Sequence, residues 1–320
     1  MEYYLALDGG GTKLQGILFD STFHLIAAAR SGGINRNVHS REAAICHIDE
    51  CVGSMFAQAE KQGIKISSIR RITSSWGGIY RDVIARHCPV EEYVTCGEGP
   101  VGVLCCGLTT GLLALSGTGS DIFLVRNCER IDAIGGWGYI LGDDGSGVWI
   151  GRKAVRSMLR VLEDTSPEDS IMHRLIREQY HPCTPNDLVE HILRSPSPGH
   201  EIGSFCKIVN NAAQQGDSRA CDILQKAGHV LAEDVMRMKV KHNLPDRFDV
   251  CMAGSVFQYC TEMSRTFTRH LAESWPEAQI HNAIFQPVIG CVIYEMLQTG
   301  HSLDAQTIAF LKKEYAAFCT

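Results

Sequence analysis

The chain has 320 residues, 45% of them hydrophobic and 21% charged, which is typical of a soluble globular protein with room for two domains. A formal net charge of −6 argues against nucleic acid or an anionic membrane as a partner, and no apolar run approaches the roughly 20 residues that span a bilayer. The N-terminus shows no secretory leader, and the 14 cysteines lack a CxxC pair or a zinc spacing, so we expect a cytoplasmic protein with reduced thiols.

The first third of the chain predicts a mixed sheet covered by helices. Apolar runs at 2–7 and 14–20 flank a glycine turn and are typical of paired strands. Ser40 is a good N-cap for a helix from Arg41 to Gln62, because apolar residues recur there at helical spacing. The remaining segments are strands at 25–29, 70–74 and 92–96 and helices at 80–87 and 101–106. This order is expected of an α/β domain.

The second part of the chain repeats this pattern. A strand at 112–115, a glycine and hydroxyl turn at 116–120 and a returning strand at 121–126 resemble the opening hairpin, so we predict two similar domains facing one cleft. We assign residues 1–115 to an N-terminal domain and 116–320 to a C-terminal domain, with the option that the C-terminal helix packs back on the first. Later segments are an amphipathic helix around 154–162, helical pieces within 164–204, two longer helices broken near 216, a strand at 248–252 and helices at 287–297 and 303–318.

The opening turn carries groups suited to a polyphosphate. Three glycines, Gly9, Gly10 and Gly11, let main-chain N–H groups face an anion without a Cβ in the way. Thr12 adds a hydroxyl and Lys13 a positive charge, while the Asp8 carboxylate at the strand end is suited to hold a hydrated Mg²⁺. A glycine-rich hairpin can also be no more than a turn.

Four such turns follow strands, at 9–11, 117–119, 135–147 and 253–255, where open α/β folds collect ligands. With these turns the chain resembles the actin-like ATPase superfamily, and within it the N-acetylglucosamine kinase and BadF-type ATPase family. The segments that carry the resemblance are 8–13, 115–120, 135–151 and 252–256. The resemblance implies an α/β fold of two actin-like (ribonuclease H-like) domains, each a mixed sheet flanked by helices, with an interdomain cleft.

The resemblance also implies binding roles for ATP and Mg²⁺. Asp8 would organise the metal ion. Gly254 and Ser255 match the turn under adenine and ribose. The residues matching the two phosphate-binding turns are Gly9, Gly10, Gly11, Thr12, Lys13, Gly117, Thr118 and Gly119.

A sugar site is implied by two further segments. Asn35 lies in the loop where relatives hold an asparagine that bonds sugar hydroxyls, and Asn37 is the competing choice. The residues that match the relatives' sugar-binding turn are Gly136, Trp137, Gly138 and Asp143. From the residues alone, Trp137 is either a sugar-stacking or a core aromatic, and Asp143 and Asp144 are either functional or turn residues, with Ser146 capping the next helix.

The general base is where this chain departs from the family. Relatives carry an aspartate that deprotonates the 6-hydroxyl of the sugar, and the aligned residue here is Glu98. Glutamate supplies the same carboxylate on a side chain one methylene longer, and the flanking Gly97 and Gly99 would give its loop freedom to adjust. Glu98 is therefore our candidate base, the alternative being a loop carboxylate with another purpose.

The resulting hypothesis is an ATP-dependent kinase that phosphorylates the 6-hydroxyl of an N-acetylated amino sugar. N-Acetylglucosamine is the first substrate, N-acetylmuramate the competitor, and glucosamine or glucose come next. Alternatives are a sugar- or nucleotide-responsive regulator without turnover, favoured by the missing aspartate, and a BadF-type activator ATPase, for which no convincing cysteine pair is found. Relatives are commonly dimers, so a homodimer is expected by resemblance.

Overall fold

The computed structural model describes residues 1–35, 39–76, 81–164 and 169–320. The described strands are β1 (Tyr3–Gly9), β2 (Lys13–Asp20), β3 (Leu25–Gly32), β4 (Ile69–Ser74), β5 (Val90–Thr95), β6 (Gly111–Ser116), β7 (Ser120–Arg126), β8 (Glu129–Gly135), β9 (Asp249–Ala253) and β10 (Gln279–Asn282). The described helices are α1 (Arg41–Lys61), α2 (Arg81–Ile84), α3 (Glu98–Cys105), α4 (Gly138–Leu141), α5 (Gly147–Glu163), α6 (Ile171–Tyr180), α7 (Pro185–Leu193), α8 (Pro198–Gln214), α9 (Ser218–Lys241), α10 (Ser255–Tyr259), α11 (Thr261–Ser274), α12 (Pro287–Gln298) and α13 (Ala305–Glu314), followed by a 3₁₀ turn at Ala316–Phe318.

Two five-stranded sheets share one topology. The first has the order β3-β2-β1-β4-β5 and the second the order β10-β9-β6-β7-β8, so each opens with three consecutive strands and adds two later ones at the side of its first strand. In the first sheet β1 pairs antiparallel with β2 and parallel with β4, which pairs parallel with β5. The predicted mixed sheets flanked by helices are confirmed, and so is the repeat between the two halves.

β1 is buried on both faces, which explains its unbroken apolar sequence. Leu5 and Leu7 pack in a core that includes α1 residues, and Tyr4 and Ala6 pack on the other face in a core that includes α12 residues. Alternate side chains of a strand point to opposite faces, so one strand serves both cores. The predicted α1 is confirmed, including its N-cap, since the Ser40 side chain accepts a hydrogen bond from the backbone of Ala43.

The two compact units are not contiguous in sequence. One unit contains Met1–Gly111, Val125–Ile131 and Asn282–Thr320, and the other contains Leu112–Leu124 and Asp132–His281. The sequence predicts a single boundary near residue 115, whereas the chain passes between the units four times. The C-terminal helices belong with the first unit because α12 packs on β1 and β4 and on α3. No helix in the described parts of the chain is both long and apolar enough to cross a membrane.

A buried carboxylate joins the C-terminal segment to the first sheet. The Glu295 side chain on α12 accepts a hydrogen bond from Arg71 Nη1 at 2.7 Å and another from Thr73 Oγ1 at 2.8 Å. Both donors lie on β4, and burial raises the pKa of the Glu295 carboxyl although both partners oppose that shift. Tyr315 adds a second link, since its buried hydroxyl donates to the Phe23 carbonyl at 2.8 Å.

Replacing Glu295 by alanine will destabilise the protein by about 3 kcal/mol, because it leaves the buried Thr73 hydroxyl without its acceptor and the half-buried Arg71 guanidinium with only the exposed Glu92 as a partner. Urea titrations of the wild type and the variant measure this loss in the free energy of unfolding. The matched control is Glu91→Ala, which removes the exposed partner of Arg70 between β5 and β4. It should cost about 0.5 kcal/mol. Equal losses for the two variants would contradict the interpretation of Glu295.

Candidate functional site

The first glycine turn (9–13) joins β1 to β2, and Asp8 precedes it on β1. The Gly10 amide donates to the Lys13 carbonyl at 2.9 Å and closes the turn. Ser75, directly after β4, donates its hydroxyl to Asp8 Oδ1 at 2.7 Å. Burial raises the pKa of the Asp8 carboxyl, against the effects of the Ser75 hydroxyl and the Lys13 charge. Burial likewise lowers the pKa of the Lys13 ammonium, which the nearby Asp8 charge opposes.

The loop that carries Asn35 lies directly on the first glycine turn. The amides of Ile34 and Asn35 both donate to the Gly10 carbonyl, at 2.9 and 3.2 Å. A Cβ on Gly33 would lie 2.4 Å from the Gly11 oxygen, so glycine is required there for the loop to approach the turn. Asn35 is thus held beside the turn. Asn37 lies outside the described residues.

Glu98 is the first residue of α3 and is exposed. The sequence predicts a helix only from 101, with Glu98 in an adjustable loop, and that prediction is wrong. Gly97, with a φ of +83°, turns the chain into the helix, and Pro100 is tolerated because it falls in the first turn. The helix therefore fixes the backbone of Glu98.

The carboxyl ends of three parallel strands bring these groups to one edge of the first sheet. The Ser75 amide donates to the Leu7 carbonyl at 3.1 Å, and the Cys96 amide donates to the Ser74 carbonyl at 2.9 Å. These bonds continue the ladder past the ends of β1, β4 and β5. Asp8, near the end of β1, therefore lies at the same sheet edge as Ser75 and Glu98, which follow the adjacent strands β4 and β5.

The second glycine turn (117–119) is held by the N-terminus of α5. The Gly147 amide donates to the Gly117 carbonyl at 2.8 Å, and the Val148 amide donates to the Thr118 carbonyl at 3.3 Å. Within the turn the Gly117 amide donates to the Gly119 carbonyl at 2.9 Å. The first backbone donors of α5 thus fix the conformation of this turn. Ser146 caps α5 as predicted, accepting from the Trp149 amide at 3.1 Å.

Asp143 lies against the second glycine turn. A Cβ on Gly119 would lie 2.8 Å from Asp143 Oδ2, so the carboxylate occupies the space beside that glycine. Burial raises the pKa of the Asp143 carboxyl, and hydrogen bonds from the backbones of Ser120 and Gly138 oppose the shift. Gly136 donates its amide to the Ser120 carbonyl at 3.2 Å, so the chain from 135 to 143 folds back on the second turn.

Trp137 is 77% exposed, so the alternative that it is a core aromatic is wrong. It precedes the single-turn helix α4, and the neighbouring Ile140 and Leu141 are 71% and 84% exposed. Gly136 and Gly138, with φ of +68° and +79°, give the chain the bends that bring it back toward Asp143.

The Gly254 turn (253–255) packs on the end of β6. Gly254 has a φ of +101°, and a Cβ there would lie 2.1 Å from the Ser116 oxygen. Since β6 and β9 are adjacent and parallel, both strands deliver their turns to the same edge of the second sheet. Ser255 opens α10 and is exposed. The second unit therefore brings together the second glycine turn, Asp143 and the Gly254 turn.

Two residues of this arrangement were missed by sequence reasoning. Ser75 carried a usable signal, since it follows a parallel strand as Asp8 does. His39 carried none: its ring Nε2 donates to the Gly11 carbonyl at 2.7 Å, a contact that only the folded loop reveals.

The residues around Asp8 fit a phosphate-bound Mg²⁺. Within the described ranges no three or more His, Cys, Asp or Glu side chains are arranged to hold a metal ion. Mg²⁺ in phosphate sites needs no such cage, since it takes one or two carboxylates together with water and phosphate oxygens. A cation beside Asp8 would also offset the desolvation that raises the pKa of its carboxyl.

Comparison with known protein families shows which family this chain belongs to. The model of the BadF/BadG/BcrA/BcrD ATPase family matches residues 5–294. The chain belongs to this family. The match spans both units, and it confirms the family that the four glycine-rich turns predict.

Two curated relatives of the family member are kinases. The N-acetylmuramic acid/N-acetylglucosamine kinase of Clostridium acetobutylicum is 26% identical over 302 residues, 92% of this chain and 98% of the relative. The N-acetyl-D-glucosamine kinase of Dictyostelium discoideum is 24% identical over 316 residues, 91% of this chain and 97% of the relative.

Solved structures agree in fold. A provisionally named N-acetylglucosamine kinase from Porphyromonas gingivalis has a TM-score of 0.69 at 20% identity, with 92% of this chain and 98% of that one covered. A ROK family glucokinase from Streptomyces griseus, solved with glucose and AMPPNP, has a TM-score of 0.56 at 13% identity, with 91% and 98% covered. The α/β fold of the family member is thus shared with these proteins.

Replacing Gly10 or Gly117 by alanine will leave the fold intact and weaken nucleotide binding about tenfold or more, since a methyl group would fill the space in front of the backbone. A Cβ at either position meets nothing within 4 Å, so packing does not require glycine there. Calorimetric titration with a non-hydrolysable ATP analogue measures the affinity. Gly254→Ala is the contrasting variant, expected to lower the melting temperature. Unchanged nucleotide affinity in both Gly10→Ala and Gly117→Ala would refute a phosphate role for the two turns.

Replacing Asp8 by asparagine will stabilise the protein at neutral pH. The folded state holds the Asp8 proton more tightly than the unfolded state, so the wild type loses stability as pH rises from the ordinary value of 3.8 through the raised pKa. Asp8→Asn does not undergo this loss. Between the unfolded and the folded pKa of Asp8, its free energy of unfolding should therefore rise relative to that of the wild type by about 1.4 kcal/mol for each pH unit. Urea titrations across the pH range measure it.

Asp20→Asn is the control of opposite sign. Burial opposes ionisation of Asp20, but hydrogen bonds from Thr22 and the His24 amide lower the pKa of its carboxyl overall. That variant should lose stability at neutral pH, and the loss should vanish at acid pH. A stability difference for Asp8→Asn that does not change with pH would contradict the burial argument.

Proposed function

We propose that this family member is an ATP-dependent kinase that phosphorylates the 6-hydroxyl of an N-acetylated amino sugar. The observation that carries the proposal is the edge of the first sheet, where Asp8 lies at the end of β1 and the Asn35 loop and Glu98 follow β3 and β5. A metal carboxylate, a hydroxyl-binding amide and a candidate base are the parts that phosphoryl transfer to a sugar needs. The names of the two curated relatives support the acceptor class.

The nucleotide roles follow the two sets of turns. The first glycine turn would bind β- and γ-phosphates through its amides and the exposed Thr12 hydroxyl, with Lys13 adding charge. Thr118 and its flanking glycines would form the second phosphate contact. Gly254 and Ser255 would lie under adenine and ribose. Asp8 would hold Mg²⁺, which supplies charge neutralisation of the phosphates when it is bound.

The sugar roles fall to the Asn35 amide and the stretch from Gly136 to Asp143. Asn35 would bond ring hydroxyls, and the Asp143 carboxylate would accept from others. The exposed face of Trp137 is open to stack on a sugar ring. N-Acetylglucosamine is the first substrate and N-acetylmuramate the second. A homodimer and a cytoplasmic location are proposals that rest on the resemblance.

The chemical step needs one proton acceptor. Glu98 would take the proton of the sugar 6-hydroxyl as that oxygen bonds to the γ-phosphorus and the bond to the β,γ-bridging oxygen breaks, which releases ADP. A second candidate, a sugar-responsive regulator without turnover, is favoured by the one departure from the family pattern, the glutamate at 98.

Glu98→Gln should lower kcat by about 100- to 10,000-fold while calorimetry shows sugar binding retained, because the amide cannot accept the proton. A coupled ADP-release assay with N-acetylglucosamine, N-acetylmuramate, glucosamine and glucose measures turnover. Glu98→Asp should keep part of the activity, and the exposed Glu91→Gln should behave like the wild type. Absence of sugar-stimulated turnover on all four sugars would contradict the kinase proposal. Sugar binding without turnover would favour the regulator. Full activity in Glu98→Gln would place the base elsewhere.

A further inference from the structure

The Asn35 loop and the first glycine turn share one histidine. The His39 ring Nε2 donates to the Gly11 carbonyl at 2.7 Å, while the His39 backbone amide donates to the Asn35 carbonyl at 2.9 Å. One residue therefore bonds the candidate sugar loop through its backbone and the candidate phosphate turn through its side chain. All these atoms lie in the first unit.

A second histidine also bonds the same loop. His47 on α1 donates Nδ1–H to the Gly33 carbonyl at 2.7 Å, and its ring meets the His39 ring edge-on at 5.6 Å between centroids. A Cβ on Gly32 would lie 2.4 Å from the His47 ring, so that ring is closely packed. The His39 ring therefore packs against the His47 ring, which is itself hydrogen-bonded to the loop at Gly33.

The hydrogen bond at Gly11 determines where the next amide points. In a trans peptide the C=O and the following N–H point in opposite directions within one plane. The bond from His39 to the Gly11 oxygen therefore aims the Thr12 N–H away from the loop. In the same way, the Ile34 and Asn35 amides bonded to the Gly10 oxygen aim the Gly11 N–H. These two N–H groups belong to the turn proposed to bind phosphate.

We propose that His39 is a positioning residue that couples sugar binding to nucleotide affinity. This inference rests on the proposed function of the two segments. A sugar bound to Asn35 would also fix His39, because the two residues share a backbone hydrogen bond. His39 in turn fixes the Gly11–Thr12 peptide, whose N–H would face the phosphates. By linkage, nucleotide bound at the first glycine turn tightens the Asn35 loop on the sugar by the same factor.

The test compares nucleotide affinity with and without sugar. The protein is titrated calorimetrically with a non-hydrolysable ATP analogue and Mg²⁺, once without sugar and once in saturating N-acetylglucosamine. The coupling factor is the dissociation constant without sugar divided by the dissociation constant with sugar. The wild type should show a factor of about three to ten, the equivalent of one hydrogen bond. His39→Leu, which removes the donor, should bring that factor close to one.

Two polar variants separate positioning from general loop stability. The His39→Gln side chain carries an N–H at the reach of Nε2 and should restore the coupling factor. His39→Asn places its N–H at the reach of Nδ1 and should behave like His39→Leu. His87→Gln, whose ring bonds Asp49 elsewhere in the same unit, is the control and should match the wild type. Melting temperatures of the Gln and Asn variants should agree within a few degrees, the shift expected of one hydrogen bond.

An unchanged coupling factor in both His39→Leu and His39→Asn would overturn the inference, and so would a loss that His39→Gln does not restore. A wild type without any coupling would also overturn it. These outcomes differ from failure of the proposed function, which shows as no sugar-stimulated ADP release by the wild type in the separate assay. Coupled binding without turnover would keep the role of His39 and remove the kinase.

Discussion

Close approach of backbone to backbone at the strand ends is the constraint on which this structure depends. Gly33 lies against the Gly11 carbonyl, Gly147 against the Gly117 carbonyl and Gly254 against the Ser116 carbonyl, where a Cβ would lie 2.4, 3.0 and 2.1 Å from the oxygen. Any larger residue would separate the segments and break the bonds between them. The same closeness places polar groups from distant parts of the chain side by side.

Much of the fold could be predicted from the sequence because its strands are buried. β1, with apolar residues facing two cores, gives a clear signal, and α1 has both a cap and a periodic face. β8 and β10 were missed because they are sheet-edge strands with exposed or half-buried side chains, and four to seven residues of mixed polarity carry little pattern. The membership of residues 282–320 in the first unit depends on long-range packing, which local patterns do not record.

The glycine turns of the candidate site could be predicted from the sequence, but the residues that hydrogen-bond to them or beside them could not. Glycines beside Asp8 and Thr118 are visible in the sequence because a turn needs them locally. Ser75 and His39 act through hydrogen bonds to segments 67 and 28 residues away, so only the folded chain identifies them. The roles given to Asn35, Asp143 and Glu98 stay predictions, although the structure shows Asn35 and Asp143 held against the glycine turns and Glu98 held at the start of α3.

The return of residues 282–320 to the first unit has a consequence for biosynthesis. A ribosome delivers β1 to β5 early, yet the partner of Arg71 and Thr73, Glu295, emerges more than 200 residues later. Until then β1 lacks the α12 side of its core, while the second unit has its whole sequence available first. Nascent chains therefore carry an unfinished N-terminal sheet through most of translation, and its apolar face is a natural client surface for chaperones.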